Sequence, residues 1–224
     1  MKNSFLMGFV ILLSIFHKVI FPFGSAQEIF TRIYTNREWG VNQQGQAWSG
    51  CGSAYETTSV YREFLSNFLR TNDIKSVVDI GCGDWEFSQY INWDGIDYKG
   101  FDVVSNVIEK NRLRFEKDTI HFYHGDISQQ ELPAADLLIC KDVFQHLPIY
   151  DIFQIIKQCA KYKYCLITND VYPHSLTSDN PEIVRGDYRP VDLTKPPFNL
   201  KGIKVLTFNP YNFLFKQTIL IINT

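Results

Sequence analysis

Five short apolar runs recur between residues 76 and 169: Ser76 to Ile80, Tyr98 to Asp102, Ile120 to His124, Asp136 to Lys141 and Tyr164 to Asn169. Their length and their content of Val, Ile, Phe and Tyr predict buried strands. Between several of them the apolar period becomes helical. Ser105 is placed as the N-cap of a segment running toward Phe115, and from Pro148 onward Ile149, Ile152, Phe153 and Ile156 share one face. Strand, crossover helix and strand repeated in this way imply an α/β fold, with a doubly wound, mostly parallel sheet and helices on both faces. Two further strands are read near Lys204 to Phe208 and Lys216 to Asn223. The short turn NPYN, Asn209 to Asn212, joins them as an antiparallel pair, so the sheet ends on a reversed strand.

At 224 residues and 45% hydrophobic, the chain has material for one core, and residues 27–224 are read as a single domain with an N-terminal helical and loop extension over 27–72. In that extension, Ser53 and Glu56 have capping-box spacing, and Val60, Phe64, Leu65, Phe68 and Leu69 recur on one face, so a helix is expected from Ser53 to Arg70. The net charge of -2, with no basic stripe, argues against a partner held by phosphate neutralisation, and no nucleic acid is expected. Five cysteines without CxxC or Cys/His spacing give no metal site and no disulfide framework.

Residues 1–26 pull in another direction. Lys2 precedes an apolar run from Phe5 to Phe16, and Gly24, Ser25 and Ala26 offer a signal-peptidase site, with cleavage expected after Ala26. Extended to Phe23, the segment reads as an uncleaved anchor that would associate residues 5–23 with a membrane. The expected address is the secretory pathway or a membrane, with the cytoplasm as the alternative. Oligomeric state stays open.

Ligands of doubly wound sheets sit beyond the carboxyl ends of the strands. The first strand runs into VVDIGCGDWEF, Val77 to Phe87, supplying Asp79, Gly81, Gly83 and Asp84. The glycines would let backbone N–H groups approach a ligand, at the N-terminus of a helix expected to follow. The second ends at Asp102 and Val103, about twenty residues on, where a carboxylate can accept both hydroxyls of a ribose. The third ends in Gly125, Asp126 and Ile127, an acceptor for an exocyclic amine and a cover for a flat ring. The fourth ends in CKDVFQHLP, with Lys141, Asp142 and Val143. A dinucleotide turn needs a third glycine where this chain has Glu86, and a pyrophosphate would meet Asp79, Asp84 and Glu86 as uncompensated like charge. A nucleoside with a cationic tail suits such a turn better.

The order VVDIGCGDW, YKGFDVV, FYHGDIS and DLLICKDVFQHLP resembles the successive motifs of the class I, Rossmann-like S-adenosylmethionine-dependent methyltransferases across residues 50–170. The resemblance implies a seven-stranded sheet with an antiparallel last strand and S-adenosyl-L-methionine as cofactor. Gly81 and Gly83 would line its methionine part with Asp79 beside them. Asp102 would hold the ribose and Asp126 the adenine amine, with Lys141 to Val143 beside the adenine or the methyl group. Trp85-Glu86 departs from the family's commonest pattern, which has a small residue there.

A hydroxyl acceptor needs its proton removed, and His146 is the leading candidate base, with Asp170 and His174 as rivals. Each has a structural role in competition; for His146 it is capping of the helix begun at Pro148. Residues 170–200 hold five of the nine prolines, and a structured loop of this length is expected to cover an acceptor site built by Arg185, Tyr188 and Arg189, whose guanidiniums suit a carboxylate or a sugar. The WSGCGS loop, Trp48 to Ser53, is either a helix entry or a cover over the cofactor. The expected acceptor is a small molecule or a glycan. A non-catalytic nucleoside-binding module and a nicotinamide-dependent oxidoreductase are the competing readings.

Overall fold

The computed structural model describes residues 24–172, 180–210 and 215–223. His174 and the apolar run at residues 5–23 lie outside them. Seven strands form one sheet: β1 (Ser76–Ile80), β2 (Asp97–Asp102), β3 (Ile120–His124), β4 (Leu137–Lys141), β5 (Tyr164–Val171), β6 (Ile203–Phe208) and β7 (Phe215–Ile222). Their order is β3-β2-β1-β4-β5-β7-β6, with the first five parallel and β7 antiparallel to both β5 and β6. The reversal expected from the tail is present, within one residue of the expected bounds.

Successive strand residues point to opposite faces, and in the central strands β1, β4 and β5 both faces are buried, which is why those strands read as continuous apolar runs. Val78, Ile80, Leu138, Cys140 and Ile167 enter one core with α1 (Ala26–Thr35) and α4 (Ile149–Gln158). Val77, Leu137, Ile139 and Leu166 enter the other with α2 (Ser59–Thr71). Helix α3 (Ser105–Phe115) divides its side chains, Val107 going to the first core and Ile108 to the second.

Four local expectations change. Ser105 is the first residue of α3 and Val104 its N-cap, with no side-chain cap. The capping box sits at Ser25 and Glu28, where Glu28 N donates to Ser25 Oγ at 3.2 Å and Ser25 N to Glu28 Oε2 at 2.7 Å, and it starts α1. At Ser53 the hydroxyl instead donates to the Gly50 carbonyl, Ala54 is extended, and α2 begins only at Ser59 with Tyr61, Leu65 and Leu69 as its buried face. No α-helix follows the glycine turn. Gly81, Gly83 and Trp85 all have left-handed φ (67°, 54° and 58°), and the Trp85 ring is driven between Tyr98, Phe115 and Phe122, with centroids 4.9 to 5.5 Å away. A left-handed residue cannot propagate a right-handed helix, so only a single 3-10 turn, Ser88–Tyr90, remains.

Cleavage after Ala26 would remove the cap and a first helical residue that is buried in the core. Ser25→Ala should cost about 1 kcal/mol, lowering Tm by roughly 2–4 °C in a melt followed by circular dichroism; an unchanged Tm would show that the cap contributes nothing.

Candidate active site

One cavity of about 470 Å³ opens at the carboxyl ends of β1, β2, β4 and β5. Its floor is the glycine turn, whose donors are already engaged. Gly81 N and Cys82 N both donate to the Phe101 carbonyl at 2.8 and 3.0 Å, Gly83 N donates to Asp102 Oδ2 at 3.1 Å, and Asp84 N to Ser49 Oγ at 3.0 Å. The turn therefore presents a flat glycine surface, and the expected row of N–H groups aimed at a ligand is absent from it. A side chain at Gly81 would put its Cβ 2.3 Å from Val143 Cγ2, so the floor and the β4 end pack too closely for anything larger.

Asp102 stands at the cavity edge with its oxygens held by Gly83 N and Val104 N. Burial pushes its pKa up to about 6 against those two donors. Beside it Val103 lines the cavity, as do Asp126 and Ile127 from the β3 end. Asp126 also closes its own turn, accepting from Ser128 N, Ser128 Oγ and Gln129 Nε2.

The WSGCGS loop covers this half. Ser49 N donates to Asp84 Oδ2 at 2.9 Å, the Tyr34 and Ser49 hydroxyls lie 2.6 Å apart, and Lys141 Nζ donates to the Gly52 carbonyl at 2.8 Å. Residues 49–53 line the cavity, so the loop is a cover rather than a helix entry.

At the far end, four charges alternate, three of them buried and Asp142 half-buried. Lys141 Nζ meets Asp142 Oδ2 at 2.5 Å, and Lys216 Nζ bridges Asp142 Oδ1 and Asp170 Oδ1, each at 2.7 Å. Burial raises the Asp142 carboxyl, but the two lysines outweigh it and hold it below the ordinary value. Burial likewise works to lower Lys216, and Asp142 and Asp170 together raise it. Tyr188 extends the chain by donating to Asp170 Oδ2 at 3.0 Å.

The remaining wall is aromatic. His146 lies between Trp39 and Tyr188, with centroids 5.2 and 5.8 Å away, and is no helix cap. Its Nδ1 is 3.0 Å from the Asp187 carbonyl. A carbonyl only accepts, so Nδ1 carries the proton and Nε2 is the basic nitrogen. Burial lowers the His146 pKa, keeping the ring neutral near pH 7.

Four sequence candidates fall outside the cavity lining. Asp79 points beneath the turn and accepts from Tyr98 Oη at 2.6 Å, with burial pushing its pKa up to about 7. Asp84 ties down the loop. Gly125 packs against Gln130, where a Cβ would lie 2.3 Å from Oε1. Arg189 is buried and donates to the Leu147 carbonyl at 2.9 Å, pinning residues 180–193 to the β4 end. Arg185 does line the cavity, yet its guanidinium is taken by Asp151 at 2.5 and 2.9 Å. Sequence reading missed Phe30, Tyr34 and Trp39 of the extension, together with Asp151 and Lys216.

A family model described as a methyltransferase domain matches residues 77–162, which hold the ends of the first four strands. The ubiquinone biosynthesis O-methyltransferase of Hydrogenovibrio crunogenus is 27% identical over 129 residues, covering 54% of this chain; the chain spans about half, 52%, of that relative's length. Among solved structures, magnesium protoporphyrin IX methyltransferase from Synechocystis PCC 6803 with bound SAH superposes with a TM-score of 0.60 at 14% identity, over 88% of this chain and 98% of that one. The N-terminal domain of EvdMO1 with SAH bound gives 0.60 at 10% identity, over 90% and 100%. These two establish the shared fold. Sheet order, strand-end motifs and the family match agree: residues 77–162 match a methyltransferase domain, and the sheet around them has the class I, Rossmann-like methyltransferase fold.

Proposed function

We propose that the protein transfers a methyl group from S-adenosylmethionine to an oxygen or nitrogen of a small-molecule or glycan acceptor. The observation that carries this reading is the state of the glycine turn: its N–H groups are consumed internally, while Glu86, Asp102 and Asp126 line the cavity without an ion pair among the described residues. A pyrophosphate requires free donors and finds carboxylates. A ribose and a positively charged sulfonium and amine find acceptors. Bound there, S-adenosylmethionine supplies an electrophilic methyl on sulfur, and the protein's task is positioning and proton removal. Asp102 would accept from the ribose hydroxyls, Ile127 would cover the adenine, and the 49–53 loop would shut out water. His146 Nε2 would take the proton of a hydroxyl acceptor.

Calorimetry should show S-adenosylhomocysteine binding and no NAD binding; NAD binding alone would refute the reading. Hydrogen bonds from ribose favour ionised Asp102, so affinity should rise with pH from 5 and level off above the pKa of about 6, with protons released on binding below it. Asp102→Asn should weaken binding at least about tenfold, ~1.4 kcal/mol, and abolish the pH dependence. In the same reading residues 1–26 direct the chain to the secretory pathway or anchor it in a membrane. An uncleaved segment, or a cut upstream of Ser25, is favoured because Ser25 and Ala26 belong to the start of α1.

A further inference from the structure

The acceptor half of the cavity differs from its cofactor half in how its charges are used. Apart from His146, the cations lining the cavity are Lys141, Arg185 and Lys216, and each is paired with a carboxylate: Asp142, Asp151, and Asp142 with Asp170. No guanidinium or ammonium among the described lining residues is left to receive an anion. The Tyr188 hydroxyl is likewise given to Asp170. What the wall offers instead is a row of rings, Phe30, Trp39, His146 and Tyr188, with successive centroids 6.1, 5.2 and 5.8 Å apart.

Resting on the methyl-transfer reading above, we infer that the acceptor is an uncharged, flat aromatic hydroxyl compound, held against the Trp39–His146–Tyr188 wall with its hydroxyl toward His146. A carboxylated acceptor would carry negative charge into a wall whose cations are neutralised, beside the unpaired Glu86, Asp102 and Asp126, and its desolvation would go uncompensated. A sugar would bring several hydroxyls to a wall made mainly of ring faces, where the Tyr188 hydroxyl and the cations are already engaged, leaving most of them unmatched. A planar ring loses neither and gains stacking on the aromatic faces. In the transfer the acceptor oxygen bonds to the methyl carbon as the carbon–sulfur bond breaks. The electron pair of that bond stays on sulfur, and the hydroxyl proton passes to His146 Nε2.

The test uses three probes on the protein saturated with S-adenosylhomocysteine: 2-naphthol, its carboxylated counterpart 6-hydroxy-2-naphthoate, and methyl β-glucoside. Binding is read by calorimetry, and methylation by label transfer from S-adenosylmethionine. 2-Naphthol should bind and be methylated, and the carboxylate should bind at least ~tenfold more weakly, a difference of about 1.4 kcal/mol. The glucoside should show no binding. Asp151→Asn frees the Arg185 guanidinium and should bring the carboxylate level with or ahead of the naphthol, while the protein still binds S-adenosylhomocysteine. If that variant does not fold, the wild-type panel decides. Equal or tighter binding of the carboxylate or the glucoside to the wild type, or no binding of any probe to the loaded protein, would overturn the inference and leave the cofactor reading intact. Failure to bind S-adenosylhomocysteine would overturn both.

Discussion

Replacing His146 by Gln should leave S-adenosylhomocysteine affinity unchanged and lower kcat for a hydroxyl acceptor by roughly 10²–10⁴-fold, the usual contribution of a positioned base. The geometry behind this is specific. The Asp187 carbonyl holds the proton on Nδ1, the Trp39 and Tyr188 rings fix the plane, and Nε2 is the nitrogen left to accept. Because burial lowers the pKa of His146, the wild-type rate should climb with pH only over a limb lying below the ordinary histidine value, and that limb should vanish in the variant. Survival of both rate and limb would move the base elsewhere, to Asp170 first.

Lys216→Met should destabilise the fold by about 3–5 kcal/mol at pH 7, because it leaves the buried Asp170 without a cation and Asp142 with Lys141 alone, rather than removing a surface charge. Lys216 is only 3% exposed in its side chain and bridges the ends of β4 and β5 from β7. The pH dependence has a definite sign. In the wild type, Asp142 is held below its ordinary pKa, so its contribution is present above the unfolded value and lost as pH falls through the folded one. In the variant the remaining carboxylates gain from protonation, so the stability gap should narrow between pH 7 and pH 4. Urea titrations at the two pH values measure this; a gap that is small at pH 7 or equal at both would refute the account. The same loss would leave Asp142 and Asp170 less compensated near His146, raising the pKa of the base.

Both predictions use residues of unequal visibility in the sequence. His146 was legible because it follows the fourth strand, and the carboxyl ends of parallel strands gather ligands whatever the rest of the chain does. Lys216 was not legible, since the antiparallel β7 arrives from the end of the chain, and only strand pairing sets Lys216 against Asp170. Trp39 and Phe30 were hidden for a related reason. They belong to an extension read only as helix and loop, although Ser25 and Glu28 stand at capping-box spacing before Ile29, Phe30 and Ile33. Asp79 shows the opposite case. Its position at a strand end marked it as a ligand, but alternate residues face opposite sides of the sheet, and it bonds Tyr98 beneath the turn.

Trp85-Glu86 is where the two levels separate most clearly. Sequence alone determined the sheet, its reversed last strand, the turn after β1 and the acidic character that argues against a pyrophosphate, because apolar period and residue charge are local properties. Tertiary structure alone decided that Trp85 enters the aromatic core in a left-handed conformation, suppressing the helix after the turn while Glu86 lines the cavity. It also decided that the turn's N–H groups are spent on Phe101, Asp102 and Ser49, and that Arg185 is neutralised by Asp151. Which donors and charges remain for a ligand depends on partners distant in sequence, and a pattern along the chain carries no record of them.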